Sequence, residues 1–478
     1  MNAGTDLDCG TYYQNHLPGA YSQGLLNETT LDQALVRLYS SLVRTGYFDG
    51  PSGLYRNLTF ADVNTQYAQQ LARKAAAEGI VLLKNDGLLP LKLSNSTSIA
   101  LIGDWANATT QMQGNYQGVA PYLHSPLYAA QQLGVRVNYA QGPGGQGDPT
   151  TDAWLPIWDA AKNSDLILYV GGIDISVEAE GMDRVSIAWT GAQLDVIGQL
   201  ALYGKPMAVV QMGGGQIDSS PIANNPNISA LVWGGIPGQD GGSAIFDILT
   251  GQTAPAGRLP TTQYPAHYIR DIPMTDMSLR PSATSPGRTY KWYEGIPTFP
   301  FGHGLHYTNF SVSVDSSHSS KNYSISSLLG NCTEFYLDRC PFKSFQVSVK
   351  NSGSVASDYV TLGFLTGTFG PQPYPKKSLV KYQRLHNVQP GSSVPATLNL
   401  TLGSLGRVDD SGNTVLYPGD YALLIDNEPL AMINFTISGS PRILDEWPQP
   451  PVSRQQPGDY FVGGYEGYGG YNAEENLH

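Results

Sequence analysis

Between residues 61 and 270, short unbroken apolar runs alternate with segments of helical period, and this alternation constrains the fold more than anything else in the chain. The runs are Ser98-Ile-Ala-Leu-Ile-Gly103, Asp165-Leu-Ile-Leu-Tyr-Val170, Met207-Ala-Val-Val-Gln211 and Ser229-Ala-Leu-Val-Trp233. A strand that is apolar at successive positions has both faces covered, so these runs predict a sheet buried between layers of helices. Helical patterns over Ala192–Leu202 and Gly242–Leu249 lie between or after them, and Tyr67, Ala68, Leu71, Ala72, Ala75 and Ala76 mark an earlier helix face. The expectation is an α/β layered domain with a mainly parallel sheet. In such sheets ligands sit beyond the carboxyl ends of the strands.

The flanking sequence has a different character. Leu31, Leu35, Leu38 and Leu42 recur at helical spacing in residues 1–60, with Thr30 and Gln33 as a capping box and Gly46 as the stop. One amphipathic helix is too little for a domain, so its apolar face needs a body to cover. Residues 271–310 are rich in Pro, Gly, Tyr and Arg and read as a connector. Over 311–440 the runs shorten and alternate, as in Phe345-Gln-Val-Ser-Val-Lys350, Tyr359–Phe364 and Tyr421-Ala-Leu-Leu-Ile425. Turn residues Asn351-Ser-Gly353, Pro390-Gly391 and Pro418-Gly-Asp420 separate them, which predicts a β-sandwich. From about 447 the tail is Pro-rich and then Gly/Tyr-rich through Gly463–Tyr471, a composition expected to be disordered.

Composition narrows the partners. Lys+Arg 27 against Asp+Glu 39 gives a net charge of -12, which repels phosphate backbones and argues against nucleic acid. Charged residues are only 14% of the chain, so Ser, Thr, Asn, Gln, Gly and 29 tyrosines supply the polar surface, in the manner of many secreted carbohydrate-active proteins. No apolar window is long enough for a membrane span. Met1–Gly10 has neither a basic n-region nor an apolar h-region, so it is not a signal peptide and by itself predicts a cytoplasmic protein. Against that stand Asn-x-Ser/Thr sequons at Asn27, Asn57, Asn95, Asn107, Asn227, Asn309, Asn322, Asn331, Asn399 and Asn434, which suit a surface glycosylated during secretion. Cys332 and Cys340 can close a short disulfide loop, which leaves Cys9 without a partner.

The loop after the second run gathers the chemistry: Asp174, Glu178, Glu180, Asp183 and Arg184 lie close together in a chain poor in charge. A carboxylic acid acting as general acid needs a raised pKa, which neighbouring carboxylates supply, and Arg184 can pair with one of them. A solvated acidic loop is the competing reading. Met212-Gly-Gly-Gly-Gln216 can bring backbone close to a ligand but is not a dinucleotide fingerprint. His303 and His306 lie in a Gly-rich stretch without acidic partners and read as structural rather than metal-binding. Trp105, Trp233 and Trp292 lie near predicted loops, where they can stack on sugar faces, or else they are core.

Several long blocks resemble glycoside hydrolase family 3. Ala75-Ala-Ala-Glu-Gly-Ile-Val-Leu-Leu-Lys-Asn-Asp-Gly-Leu-Leu-Pro-Leu91 looks like the opening of that family's second domain. Glu178-Ala-Glu-Gly-Met-Asp-Arg184, Trp233-Gly-Gly-Ile-Pro-Gly-Gln239 and Ala254-Pro-Ala-Gly-Arg-Leu259 are similar to further blocks. Trp105–Tyr116 and Gln211–Asp218 resemble its fungal exo-1,4-β-xylosidase branch. The resemblance runs from residue 1 to about 440. It implies an α/β fold class: a remnant of a (β/α)8-like barrel with its linker over 1–60, an α/β sandwich domain over 61–270, a connector over 271–310 and a fibronectin-III-like β-sandwich over 311–440. Residues 441–478 remain as a disordered tail.

The same resemblance implies a retaining glycosidase that releases xylose from the non-reducing ends of xylooligosaccharides, with no cofactor and no metal. The acid/base falls on Glu180, with Glu178 as the alternative, and Asp8, Arg184, Asp183 and Trp105 become substrate contacts. Retaining chemistry needs two carboxyl groups roughly 5–5.5 Å apart. The family's nucleophile block lies upstream of Gly4-Thr-Asp-Leu-Asp-Cys-Gly10, which resembles a segment near the barrel's end. The resemblance therefore implies an N-terminally shortened chain, secreted in its full-length form, with a lost partner for Cys9 and negligible activity as it stands. A non-catalytic sugar-binding or interaction protein, and an α-L-arabinofuranosidase or β-glucosidase, are the alternatives.

Overall fold

The computed structural model describes residues 1–448, except 3, 52, 54, 145–153, 274 and 316–319. The expected disordered tail lies outside the described residues from 449 onward. The chain divides into two compact units, Met1–Asp276 with Ile296–Tyr307, and Met277–Gly295 with Thr308–His478. The stretch 271–310 is therefore not one connector: its middle clusters with the second unit and its end returns to the first.

The first unit is built on a six-stranded sheet of β1 (Val81–Asn85), β2 (Ser98–Ile102), β3 (Arg136–Ala140), β4 (Leu166–Gly172), β5 (Met207–Met212) and β6 (Ala230–Gly235), in the order β1-β6-β5-β4-β2-β3. All neighbours are parallel except β1 and β6. Helices α1 (Tyr12–Ser22), α2 (Glu28–Arg44), α3 (Phe60–Val63) and α4 (Gln66–Gly79) precede the sheet; α5 (Pro126–Gln131), α6 (Leu155–Lys162), α7 (Gly191–Ala201), α8 (Ser220–Ala223) and α9 (Gly241–Thr250) are interleaved with it.

Successive residues of a strand point to opposite faces, and here both faces are apolar. Ile99, Leu101, Leu168, Val170, Val210 and Val232 pack on one side with Ala77 of α4, Ala129 and Ala130 of α5, and Ala244–Leu249 of α9. Ala100, Ile102, Ile167, Tyr169, Val209 and Leu231 pack on the other with Ile157 of α6, Val196 and Leu200 of α7, and Ile222 of α8. Side-chain caps start these helices: Thr65 accepts from Ala68 N, Ser125 from Tyr128 N and Thr190 from Gln193 N. Two strands lie outside those four runs. β1 begins within the short buried run Ile80-Val-Leu-Leu83 and ends in the polar Lys84-Asn85, and β3 is an edge strand whose Arg136-Val-Asn-Tyr-Ala140 is only partly covered.

Helix α2 starts earlier than the Thr30 capping box implies. Asn27 is the N-cap, accepting from Thr30 N at 2.9 Å, because a short Asn side chain reaches the free N–H three residues on. Gly46 at φ +73 ends it, with Tyr47 N bonding back to Leu42 O. Of the whole helix only Ala34 is buried.

In the second unit a five-stranded sheet, β11-β10-β15-β16-β8, and a three-stranded sheet, β12-β9-β7, share one core. Their strands are β7 (Phe310–Val314), β8 (Lys321–Ser324), β9 (Pro341–Asn351), β10 (Ser357–Phe369), β11 (Ser378–Val388), β12 (Ser393–Thr401), β15 (Gly419–Ile425) and β16 (Ala431–Ser438). Phe345, Val347, Val349, Leu365, Leu398, Tyr421, Leu423 and Phe435 fill the space between them. A small third sheet joins β13 (Arg407–Val408), β14 (Thr414–Leu416) and β17 (Arg442–Asp445). Ordered structure thus runs past residue 440, because Val415 and Leu416 pair with Ile443 and Arg442. Cys332 and Cys340 are joined by a disulfide, with Cα atoms 5.5 Å apart.

Candidate active site

Sheet order fixes where a crevice opens. β2 pairs with β3 on one side and β4 on the other, so the connections leaving their carboxyl ends diverge between β2 and β4. That divergence is the usual ligand position of an open α/β sheet. From β2 comes Gly103-Asp104-Trp105. Gly103 at φ +124 lies against the Val170 backbone, too close for a Cβ, which lets Trp105 N bond Val170 O at 3.2 Å. Trp105 is 1% exposed and its indole N–H is buried without a hydrogen-bond acceptor.

From β4 comes the acidic loop. Asp174 starts it by accepting from Ser176 N and Oγ at 2.9 and 2.5 Å, a local turn that fixes the departure from the strand. A two-residue hairpin follows, with Ala179 N bonding Met182 O at 3.1 Å and Met182 N bonding Ala179 O at 3.0 Å. Glu180 and Gly181 form its tip, and Gly181 at φ +74 supplies the backbone sign that such a turn demands. Glu180 is consequently exposed at the turn, while Glu178 and Asp183 sit just outside the hydrogen-bonded pair. Arg184 Nε meets Glu178 Oε2 at 2.5 Å, and Arg184 Nη1 donates to Gln216 O at 2.9 Å.

A cavity of about 270 Å³ lies beneath, lined among others by Trp105, Gln111, Asn115, Asp174, Glu178 and Asp183. It mixes polar groups with Ile173 and Ile236, the composition of a small-molecule site. Glu178, Asp183 and Trp105 are thus brought to one cavity; Glu180 and Arg184 are not among its lining residues. Asp8 is held elsewhere, half-buried and accepting from Tyr13 N at 3.1 Å, and does not line the cavity. Gln111 and Asn115 were not singled out by chemistry, although they lie inside the Trp105–Tyr116 block; an uncharged amide in a loop carries no signal of its own.

The remaining candidates have structural surroundings. His303 Nε2 lies 3.1 Å from Leu83 O and His306 Nδ1 3.0 Å from Pro255 O, both backbone carbonyls. Cys9 is free and exposed. Among the described residues, no group of three ligating side chains includes the acidic hairpin. No helix of the described residues is long and apolar enough to cross a membrane.

Residues 80–307 match the glycosyl hydrolase family 3 C-terminal domain. Within it the likeness is to fungal xylosidases. The chain is 52% identical over 456 residues to a probable exo-1,4-β-xylosidase bxlB of Aspergillus terreus, covering 94% of this chain and 58% of that protein. It is 47% identical over 456 residues to the exo-1,4-β-xylosidase xlnD of Aspergillus oryzae, covering 94% of this chain and 57% of that protein. A solved family 3 exo-β-xylosidase, in complex with a xylobiose aziridine activity-based probe, superposes with a TM-score of 0.90 at 46% identity over 94% of this chain and 58% of that one. A Listeria innocua β-glucosidase shares the fold at a TM-score of 0.75 and 23% identity. The chain therefore spans somewhat under three fifths of the length of the curated relatives it matches.

Proposed function

We propose that this chain provides the acid/base portion of a retaining exo-1,4-β-xylosidase that releases xylose from the non-reducing ends of xylooligosaccharides. The observation that carries the reading is the two-residue hairpin with Glu180 at its tip, whose stem and flanks, Glu178, Ala179 and Asp183, line the cavity together with Trp105. Glu180 protonates the leaving oxygen and then activates the water that frees the sugar. Both glutamates are exposed, but Glu178 is engaged by Arg184, which supports Glu180 in this role. Asp183 and Trp105 contact the sugar from the cavity wall. Asp8 belongs to the barrel side of the site, and residues 1–60 are a barrel remnant and linker. The nucleophile is a carboxylate outside the hairpin, so we expect the 478-residue chain alone to turn over slowly or not at all. The fibronectin-III-like assignment of the β-sandwich and the arrangement of the domains belong to the same proposal.

Secretion is part of it too. All ten sequon asparagines are exposed, which supports their use as glycan acceptors on an extracellular enzyme.

The test compares Glu180→Ala with Glu178→Ala in the active enzyme. Glu180→Ala should slow xylobiose hydrolysis by about 100-fold or more, harm activated aryl xylosides less and respond to azide. That pattern in Glu178→Ala instead would transfer the role to Glu178. Relative rates on nitrophenyl xyloside, arabinofuranoside and glucoside fix the sugar.

A further inference from the structure

We propose that Arg184 is a positioning residue rather than a substrate contact: seated over Gly215, its guanidinium locks the Glu180 hairpin to the loop that follows β5. The inference rests on the acid/base assignment to that hairpin.

A two-residue hairpin is marginal on its own, so a residue at its tip is only as well placed as the stem is tied down. Arg184 ties it on two sides. Its side chain is 11% exposed, Nε is committed to Glu178 Oε2 at 2.5 Å, and Nη1 to Gln216 O at 2.9 Å. The first contact crosses the hairpin stem; the second reaches a different loop. That second loop is anchored in turn. Gln216 Oε1 accepts from Tyr264 N. Asp218 accepts from Ala266 N at 2.8 Å and from Thr298 Oγ1 at 2.9 Å. Hydrogen bonds with a charged donor are the strong ones, and only a guanidinium presents two donors in a fixed fork to a carboxylate and a carbonyl together.

Gly215 supplies the room. A Cβ there would stand 2.5 Å from Arg184 Nη2 and 2.6 Å from Glu178 Oε2, inside both atoms' contact distance. The backbone at Gly215 is not in the left-handed region, and the atoms nearest to a side chain there belong to the pair itself. The glycine run after β5 thereby acquires a role: its last member is the seat of the clamp.

The experiment measures amide hydrogen exchange at Ala179 and Met182 in the 478-residue chain, for the parent, Arg184→Ala, Arg184→Lys and Gly215→Ala. Xylobiose titration and aryl-xyloside kinetics follow on the same samples. Arg184→Ala and Gly215→Ala should each speed hairpin exchange by about tenfold or more while exchange in β4 and α9 stays unchanged. Added millimolar guanidinium should restore protection to Arg184→Ala but not to Gly215→Ala, and Arg184→Lys should fall between parent and alanine. Where the parent turns over, kcat should fall with KM within about twofold. Unchanged hairpin exchange in either alanine variant overturns the proposal. So does weakened xylobiose binding with exchange intact, which would make Arg184 the substrate contact. A parent that does not bind xylobiose counts against the functional reading alone, since the exchange data still decide the clamp; absence of turnover is what that reading expects of this chain.

Discussion

At the scale of single residues, the site depends on side chains that stand in for missing backbone partners. Gln193 of α7 is 0% exposed; its Oε1 accepts from Gly172 N at 2.9 Å and its Nε2 donates to Gly172 O at 2.8 Å. Gly172 ends β4 at φ +146, close against the Met212 backbone, where the ladder can no longer satisfy it and the acidic loop begins. Replacing Gln193 by Leu keeps the volume but strands a buried donor and a buried acceptor. The expected loss is about 2–4 kcal/mol, read as a lower denaturant midpoint at unchanged slope. Sequence gave no warning of this residue, because a glutamine on an amphipathic helix looks like surface. Its burial follows from which face of α7 meets the sheet end. Arg184 illustrates the same limit: its charge is legible in the sequence, whereas its acceptors lie 6 residues back in the same hairpin and 32 residues on in a different loop.

Between elements, the parallel strands are joined at their amino ends by charge as well as by ladder bonds. Asp165, just before β4, accepts from Ser98 N and Ser98 Oγ at 2.7 Å each, at the start of β2. These two bonds from Ser98 hold the carboxyl below its ordinary value of 3.8, with Arg136 and Lys205 adding a smaller pull. A carboxyl depressed in the folded state stabilises the fold in full above the unfolded pKa, and that contribution is lost as pH falls through the folded one. The stability gap between parent and Asp165→Asn should therefore be constant above about pH 5 and close on going below about pH 4. Thermal unfolding across pH 2.5–7 checks it; a gap that widens toward acid would reverse the sign. The element itself was legible, since four apolar runs and two helices lie where the pattern put them, within two residues. β3 was not, because this edge strand is only partly covered and so needs fewer apolar residues; β1 lies outside the four runs, although Ile80-Val-Leu-Leu83 is an apolar run that is buried.

Over the whole molecule, burial is unevenly spread. In residues 1–71 the described residues bury only Ala34, while Leu35, Val36, Tyr39, Val43, Tyr47, Phe48, Tyr55, Leu58 and Phe60 are all exposed. The six-stranded sheet, by contrast, is covered on both faces. Local stability tracks buried apolar contact, so limited proteolysis of the chain should cut first before residue 66 and leave a product that begins near α4. Mass spectrometry of the early fragments tests this, and a first cut within β4 or β5 would contradict it. On the face of α2 marked by the leucine spacing, Leu31, Leu38 and Leu42 are half-buried and Leu35 is 49% exposed.

Local sequence by itself determined the layered α/β body, the β-rich second unit and the acidic loop at a strand's carboxyl end. Those features follow from side-chain period and turn residues, which act over a few positions. Which carboxylate Arg184 engages, why Gly215 has no side chain and how Trp105 reaches the crevice were decided only in three dimensions. The first turns on the register of one hairpin, while the other two join segments whose separation the chain closes through the sheet order, and no local pattern records which strands become neighbours.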